Sequence, residues 1–227
     1  MISMYRLITG ILYLFFIVTA SALEPPNIHF FKHKLIHYHD SGKHDHDIAK
    51  VAINAKKCLK MQTKNKEGSK KLALVLDIDD TSLSSYYYES ESDFSFDQQK
   101  FKYFVEKANM PAIPAILDLY RLAKKRGMAV FFISGRRESW RDVTVKNLRA
   151  AGYKDWDGLY LRPDDYSYDT IVPFKLSTRE LLRSKGYEIV GNIGDQESDL
   201  TGDHVGCRFK IPNPYYFVAD EEEGVVM

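Results

Sequence analysis

The run Leu72-Ala73-Leu74-Val75-Leu76-Asp77-Ile78-Asp79-Asp80-Thr81 constrains this chain more than any other. Five apolar residues with nothing polar among them fit a strand buried on both faces. Three carboxylates and a threonine follow where such a strand leaves the core. In open α/β sheets, ligands gather there, outside the carboxyl ends of the strands. An extended backbone would point Asp77 and Asp79 to opposite sides. A turn that starts after Asp77 brings both to one pocket by different approaches, so that one can attack while the other handles protons.

The chain has 227 residues and a formal net charge of +1. That balance suggests neither a nucleic-acid binder nor a surface strongly drawn to membranes. Residues 1–22 read as a signal peptide: Arg6, a mostly apolar run from Leu7 to Thr19, then the small-x-small pattern Ala20-Ser21-Ala22. The run is short against the roughly 20 residues of a spanning helix, and no cysteine follows it, so no stable membrane anchor is expected. An uncleaved anchor is the competing reading. The expectation is an exported protein, periplasmic or extracellular, with one domain over residues 23–227. Export would permit one disulfide, between Cys58 and Cys207, the only two cysteines. Each lies on an apolar face, and buried free thiols are the expectation.

Glu24 to Asp47 holds six of the seven histidines and reads as a solvated leading segment rather than a metal site. Asp47 reads as the N-cap of a helix whose inner face carries Ile48, Val51, Ala52, Ala55, Cys58 and Leu59, ending near Asn65-Lys66-Glu67-Gly68. Ser82 to Met110 shows no strand pattern and is rich in Tyr and Phe. It predicts a small cap over about residues 82–112, above the catalytic strand end. Aromatic faces suit a nucleobase or another flat group, and Tyr86, Tyr87 and Tyr88 are the candidate substrate contacts. Most of the other rings are expected to pack the cap's own core.

Three more apolar strands are predicted at Met128–Ile133, Gly158–Leu161 and Glu188–Ile193, with helices between them and a half-buried strand at Cys207–Ile211. The second ends in Ser134-Gly135-Arg136, where a hydroxyl and the Gly135 N–H can hold a phosphate oxygen. A helix opening at Phe174-Lys175 places Lys175 as a positive charge for phosphate. The fourth runs into Gly194-Asp195-Gln196-Glu197-Ser198-Asp199, a glycine turn edged with acids that suits a hard cation. The tail, Asp220 to Gly224, is acidic. The pattern predicts an α/β fold: a Rossmann-like, mostly parallel sheet with helices on both faces and the cap after the first catalytic strand.

Asp77-Ile78-Asp79-Asp80-Thr81, Ser134-Gly135-Arg136, Lys175 and Gly194-Asp195 to Asp199 resemble, in order, the four motifs of the haloacid dehalogenase-like phosphatases. Asp40-Ser41-Gly42, Phe131 to Arg136, Gly191 to Leu200 and Phe209 to Tyr216 are most similar to secreted class B acid phosphatases and their plant relatives, the vegetative storage proteins. The bacterial class C phosphatases share this plan, but many of them are lipoproteins. The resemblance implies an Mg²⁺-dependent phosphomonoesterase acting on small phosphomonoesters, nucleotides or aryl phosphates among them. It implies Asp77 as the nucleophile and Asp79 as the general acid and base. Mg²⁺ would be held by Asp77, the Asp79 backbone carbonyl and Asp195. Phosphate would be held by Ser134, Gly135 and Lys175, with Thr81 and Asp199 in support. The alternatives are a non-catalytic storage or binding protein of the same fold, and a phosphotransferase.

Overall fold

The computed structural model describes residues 24–64, 71–203 and 206–218. The expected signal peptide (1–22), the turn at 65–68 and the acidic tail lie outside them. Five strands form one sheet: β1 (Lys71–Leu76), β2 (Ala129–Arg137), β3 (Gly158–Arg162), β4 (Tyr187–Gly194) and β5 (Cys207–Lys210). Their order is β3-β2-β1-β4-β5, and every pairing is parallel. Parallel neighbours need crossover connections, which are helical here. The helices are α1 (Ile28–Asp40), α2 (Lys43–Lys64), α3 (Tyr86–Glu91), α4 (Gln98–Glu106), α5 (Pro114–Lys125), α6 (Arg141–Ala150), α7 (Val172–Ser184) and α8 (Glu197–Leu200).

β1 is buried on both faces because the strand period of two sends its apolar residues alternately each way. Leu72, Leu74 and Leu76 face a core with Ile48, Ala52 and Leu59 of α2, Ile116 and Leu119 of α5, and Leu148 of α6. Ala73 and Val75 face a smaller core with Phe131, Ile133, Ile189 and Leu182 of α7. Each large side chain buried in this way contributes roughly 1.5–3 kcal/mol. From β1 the chain builds outward to β2 and β3, then returns to the other side of β1 for β4 and β5. The carboxyl ends of β1, β2 and β4 therefore meet where the sheet order reverses.

Three local expectations are corrected. The histidine-rich segment is not merely solvated chain: Ile28–Asp40 is a helix, N-capped by the Asn27 side chain, which accepts from His29 N at 2.9 Å. Asp47 is not an N-cap. The turn at Gly42, with φ +74°, lets α2 start at Lys43. Asp47 sits one turn inside α2, where it accepts from Lys43 Nζ (2.8 Å), Lys50 Nζ (3.1 Å) and Tyr38 Oη (3.0 Å). The cysteines are not free thiols but a Cys58–Cys207 disulfide joining α2 to β5, with Cα atoms 6.7 Å apart. The apolar face that buries Cys58 looks onto the sheet edge where Cys207 lies, a meeting that sequence spacing does not reveal.

The segment between β1 and α5 carries α3 and α4. Asp97 caps α4 by accepting from Gln99 N and Lys100 N at 2.9 and 3.0 Å. Tyr88 packs against Phe101 and Phe104, with ring centroids 5.0 and 5.8 Å away.

Candidate active site

Asp77 begins where β1 ends, its N–H still bonded to the Ile193 carbonyl of β4 at 3.0 Å. The chain then turns sharply. The Ile78 carbonyl accepts from Ser82 N (2.9 Å) and Leu83 N (2.8 Å), and Asp80 takes φ +49°. Aspartate tolerates that left-handed conformation better than most side chains. The turn places Asp77 and Asp79 against different partners.

Asp77 is buried and faces Lys175 Nζ at 3.5 Å. Lys175, also buried, is ion-paired with Asp199. The Asp199 carboxylate in turn accepts from Gln196 N at 2.9 Å, so α8 holds it from its own first turn. A Cβ on Gly194 would overlap the Asp199 side chain, which explains a glycine at the end of β4. Asp195 accepts from Thr81 Oγ1 (3.1 Å), Gln196 Nε2 (2.6 Å), Asn213 Nδ2 (2.7 Å) and Tyr216 Oη (3.2 Å). Its backbone carbonyl accepts from Lys210 Nζ.

Asp77, Asp195 and Asp199 offer carboxylate oxygens within 4.8 Å of one another. One ammonium stands among three buried acids. Burial, then repulsion from Asp199, pushes the Asp77 carboxyl well up. The same two causes, in that order, raise Asp195. Burial disfavours the Lys175 ammonium, but Asp199 and Asp77 outweigh it and hold its pKa above the ordinary range. Oxygen-only ligands carrying excess negative charge fit a hard divalent cation. Asp199 already serves Lys175, which leaves Asp77 and Asp195 as the carboxylates open to one.

Asp79 is arranged differently. Its side chain is 19% exposed, and Arg136 grips both of its oxygens, Nη2 to Oδ1 at 2.7 Å and Nε to Oδ2 at 2.9 Å. Arg136 is buried and also donates to Thr144 Oγ1 at 3.2 Å, so its planar fork is fixed from behind. Ser134 is buried at the end of β2, where its hydroxyl accepts from Arg136 N at 3.2 Å, and the Gly135 backbone beside it is exposed.

Asp80 points away from the acids and staples the start of α3, accepting from Ser85 N at 2.9 Å and from Ser85 Oγ. Burial and the nearby Asp195 raise it to about 8, against those two bonds. The three candidate tyrosines diverge. Tyr86 stacks on His39 with centroids 3.3 Å apart, Tyr87 is exposed, and Tyr88 turns inward, its hydroxyl donating to Asp97 O at 3.1 Å.

Sequence reasoning singled out Asp77, Asp79, Thr81, Ser134, Gly135, Lys175, Asp195 and Asp199, and the fold brings these to one end of the sheet. It missed roles for Arg136, Asn213 and Tyr216. Arg136 stood in the quoted Ser-Gly-Arg motif, so the signal was there. Asn213 and Tyr216 reach Asp195 only because the chain folds back after β5.

Residues 22–219 match the family model described as HAD superfamily, subfamily IIIB (Acid phosphatase). Acid phosphatase 1 of Solanum lycopersicum is 40% identical over 148 residues, covering 63% of this chain and 58% of that protein. Vegetative storage protein 2 of Arabidopsis thaliana is 37% identical over 148 residues, covering 63% and 56%. The chain thus spans less than three fifths of the length of these curated relatives. Among solved structures, the class C acid phosphatase from Bacillus anthracis has a TM-score of 0.69 at 23% identity, covering 82% of this chain and 86% of that one. That likeness concerns the fold.

Proposed function

The chain belongs to subfamily IIIB of the HAD superfamily, the acid phosphatases, and from that premise we propose that it is an exported, Mg²⁺-dependent phosphomonoesterase. The observation that carries this reading is the pairing of two differently housed acids at one strand end: Asp77 buried beside Lys175, and Asp79 partly open and held by Arg136.

Asp77 attacks phosphorus in line, and the bond from phosphorus to the ester oxygen breaks as the aspartyl-phosphate forms. Asp79 gives its proton to the departing alcohol oxygen, then takes one from the water that hydrolyses the intermediate. Arg136 keeps the Asp79 carboxyl in one plane for both half-reactions. Lys175, the Ser134 hydroxyl and the Gly135 N–H hold the phosphate oxygens, with Asp199 keeping Lys175 in place. Thr81 and Tyr216 orient Asp195. Mg²⁺, held by Asp77, Asp195 and the Asp79 main-chain carbonyl, would offset the repulsion between the anionic nucleophile and the anionic ester.

The likeness to vegetative storage proteins supports a second reading, a storage or binding protein without turnover. The presence of Asp77, Asp79, Lys175 and Asp195 together weighs against it. The test is hydrolysis of p-nitrophenyl phosphate by the purified protein, after chelation and after adding Mg²⁺ back. Turnover lost to chelator and restored by Mg²⁺ supports the proposal. A folded protein inactive across pH supports the storage reading. Product transferred to an added alcohol instead of water identifies a phosphotransferase.

A further inference from the structure

Glu89 is out of place for a cap helix. It is one of two buried residues in the short helix α3, beside Tyr88, and only 5% of its surface is exposed. Tyr88 does what a cap-core residue should: its ring packs on Phe101 and its hydroxyl finds Asp97. Glu89 does not. Its backbone is fully engaged: the N–H donates to Ser85 O at 3.1 Å, and the carbonyl accepts from Phe94 N and Ser92 Oγ at 2.8 and 3.2 Å. Its carboxyl makes no hydrogen bond and no ion pair among the described residues. Burying an unpaired carboxyl is costly, so an apolar residue would serve the fold better.

Its surroundings say which way it faces. Burial, then the charge of Asp79, raises the Glu89 carboxyl to about 7. Asp79 is the one charged group whose field it feels, so Glu89 lies toward Asp79 and not toward the metal-ligand carboxylates behind it. The start of α3 is fixed there by the Asp80 staple on Ser85, one turn before Glu89. Asp79 is the group that meets the ester oxygen under the phosphatase reading. Glu89 then stands on the side where the alcohol part of the substrate must lie.

We propose that Glu89 is a specificity-determining residue that reads the leaving group: it favours phosphate esters whose alcohol carries a hydrogen-bond donor, an ammonium best, and rejects those that carry a carboxylate. The substrate class is thus amino-alcohol and polyol monophosphates. A bound donor satisfies the carboxyl, whereas an apolar tail leaves it buried and unpaired. Sites built around a buried polar group discriminate strongly for that reason. This proposal rests on the phosphatase reading of the same site.

The test is a ladder of three esters of nearly equal size: O-phosphoethanolamine, propyl phosphate and the phosphate ester of 3-hydroxypropionate. A charge-assisted hydrogen bond predicts that kcat/KM for the ammonium ester exceeds that for propyl phosphate by at least about tenfold, with the carboxylate ester lowest. The wild-type ladder needs no variant. Glu89→Gln and Glu89→Leu should each bring the first ratio down by about tenfold, Leu more than Gln. A wild-type ratio near one, or the same ratio in both variants, overturns the proposal. If no ester is turned over at all, it is the phosphatase reading that fails. The ratio of dissociation constants for the same esters, by calorimetry on wild type and Glu89→Gln, then decides the role of Glu89 by the same tenfold criterion.

Discussion

Opening the disulfide should be felt well beyond the two cysteines. Cys58 and Cys207 are 149 residues apart in sequence, so the bridge closes most of the domain into one loop. Loop-closure entropy for a span of that length corresponds to about 5 kcal/mol of stabilisation at 25 °C. For a domain of this size, 1 kcal/mol moves Tm by roughly 2–4 °C, so removing the bridge should lower Tm by about 10–20 °C. The loss should begin at β5, which is the sheet edge and pairs only with β4. The residues just beyond it, Asn213 and Tyr216, donate to Asp195. Freeing β5 should therefore also raise the Mg²⁺ concentration needed for half-maximal activity. The assay is calorimetry and a Mg²⁺ titration on the Cys58→Ala/Cys207→Ala protein, alongside reduced wild type, which separates the tether from the side-chain change. A Tm within about 2 °C of the oxidised wild type in both samples would refute the reasoning.

Arg136→Ala should lower kcat by about a hundredfold with a smaller effect on KM, because Asp79 loses the fork that sets its plane. Steady-state kinetics check it, and an unchanged kcat would show that Arg136 only packs. Gly194→Ala should cut kcat/KM by at least about tenfold, since the new Cβ overlaps Asp199 and displaces the partner of Lys175. Kinetics beside a circular dichroism spectrum separate that from unfolding. His44 is buried, and its pKa is lowered by burial against the pull of its bond to Pro212 O at 3.0 Å. As pH falls below about 6.5, the unfolded chain takes up a proton that the folded one resists. Stability should therefore drop with falling pH by up to about 1.4 kcal/mol per unit until the folded group also titrates. Urea unfolding of wild type and His44→Gln at pH 7 and pH 5 checks this: the variant should lose less.

The parallel sheet was legible because β1, β2 and β4 are nearly unbroken apolar runs, and each ends in the polar residues that make the site. Periodicity placed α5 and α7 for the same reason. α1 was not legible: its helix is set by the Asn27 cap, while its exposed face carries Phe30 and Phe31 as readily as histidines, so no apolar stripe marks it. The start of α2 was misplaced because Asp47 carries the residue type of a cap but spends it on two lysines and Tyr38. Within the site, the motif residues lie on strand ends that the pattern locates. Arg136 on Asp79, Tyr216 on Asp195 and the disulfide are meetings between distant segments, created by tertiary packing. Glu89 looked like an ordinary surface acid until α3 turned it inward.

The central claim is that Asp77 is the nucleophile. The most direct measurement is the rate of p-nitrophenyl phosphate hydrolysis by Asp77→Asn beside wild type, both saturated with Mg²⁺ and both shown to be folded. The amide keeps the shape of the buried site beside Lys175 but cannot form the aspartyl-phosphate. The account predicts a loss of roughly a thousandfold or more in kcat. A variant that keeps its rate would contradict it and move the chemistry to another residue of the same pocket.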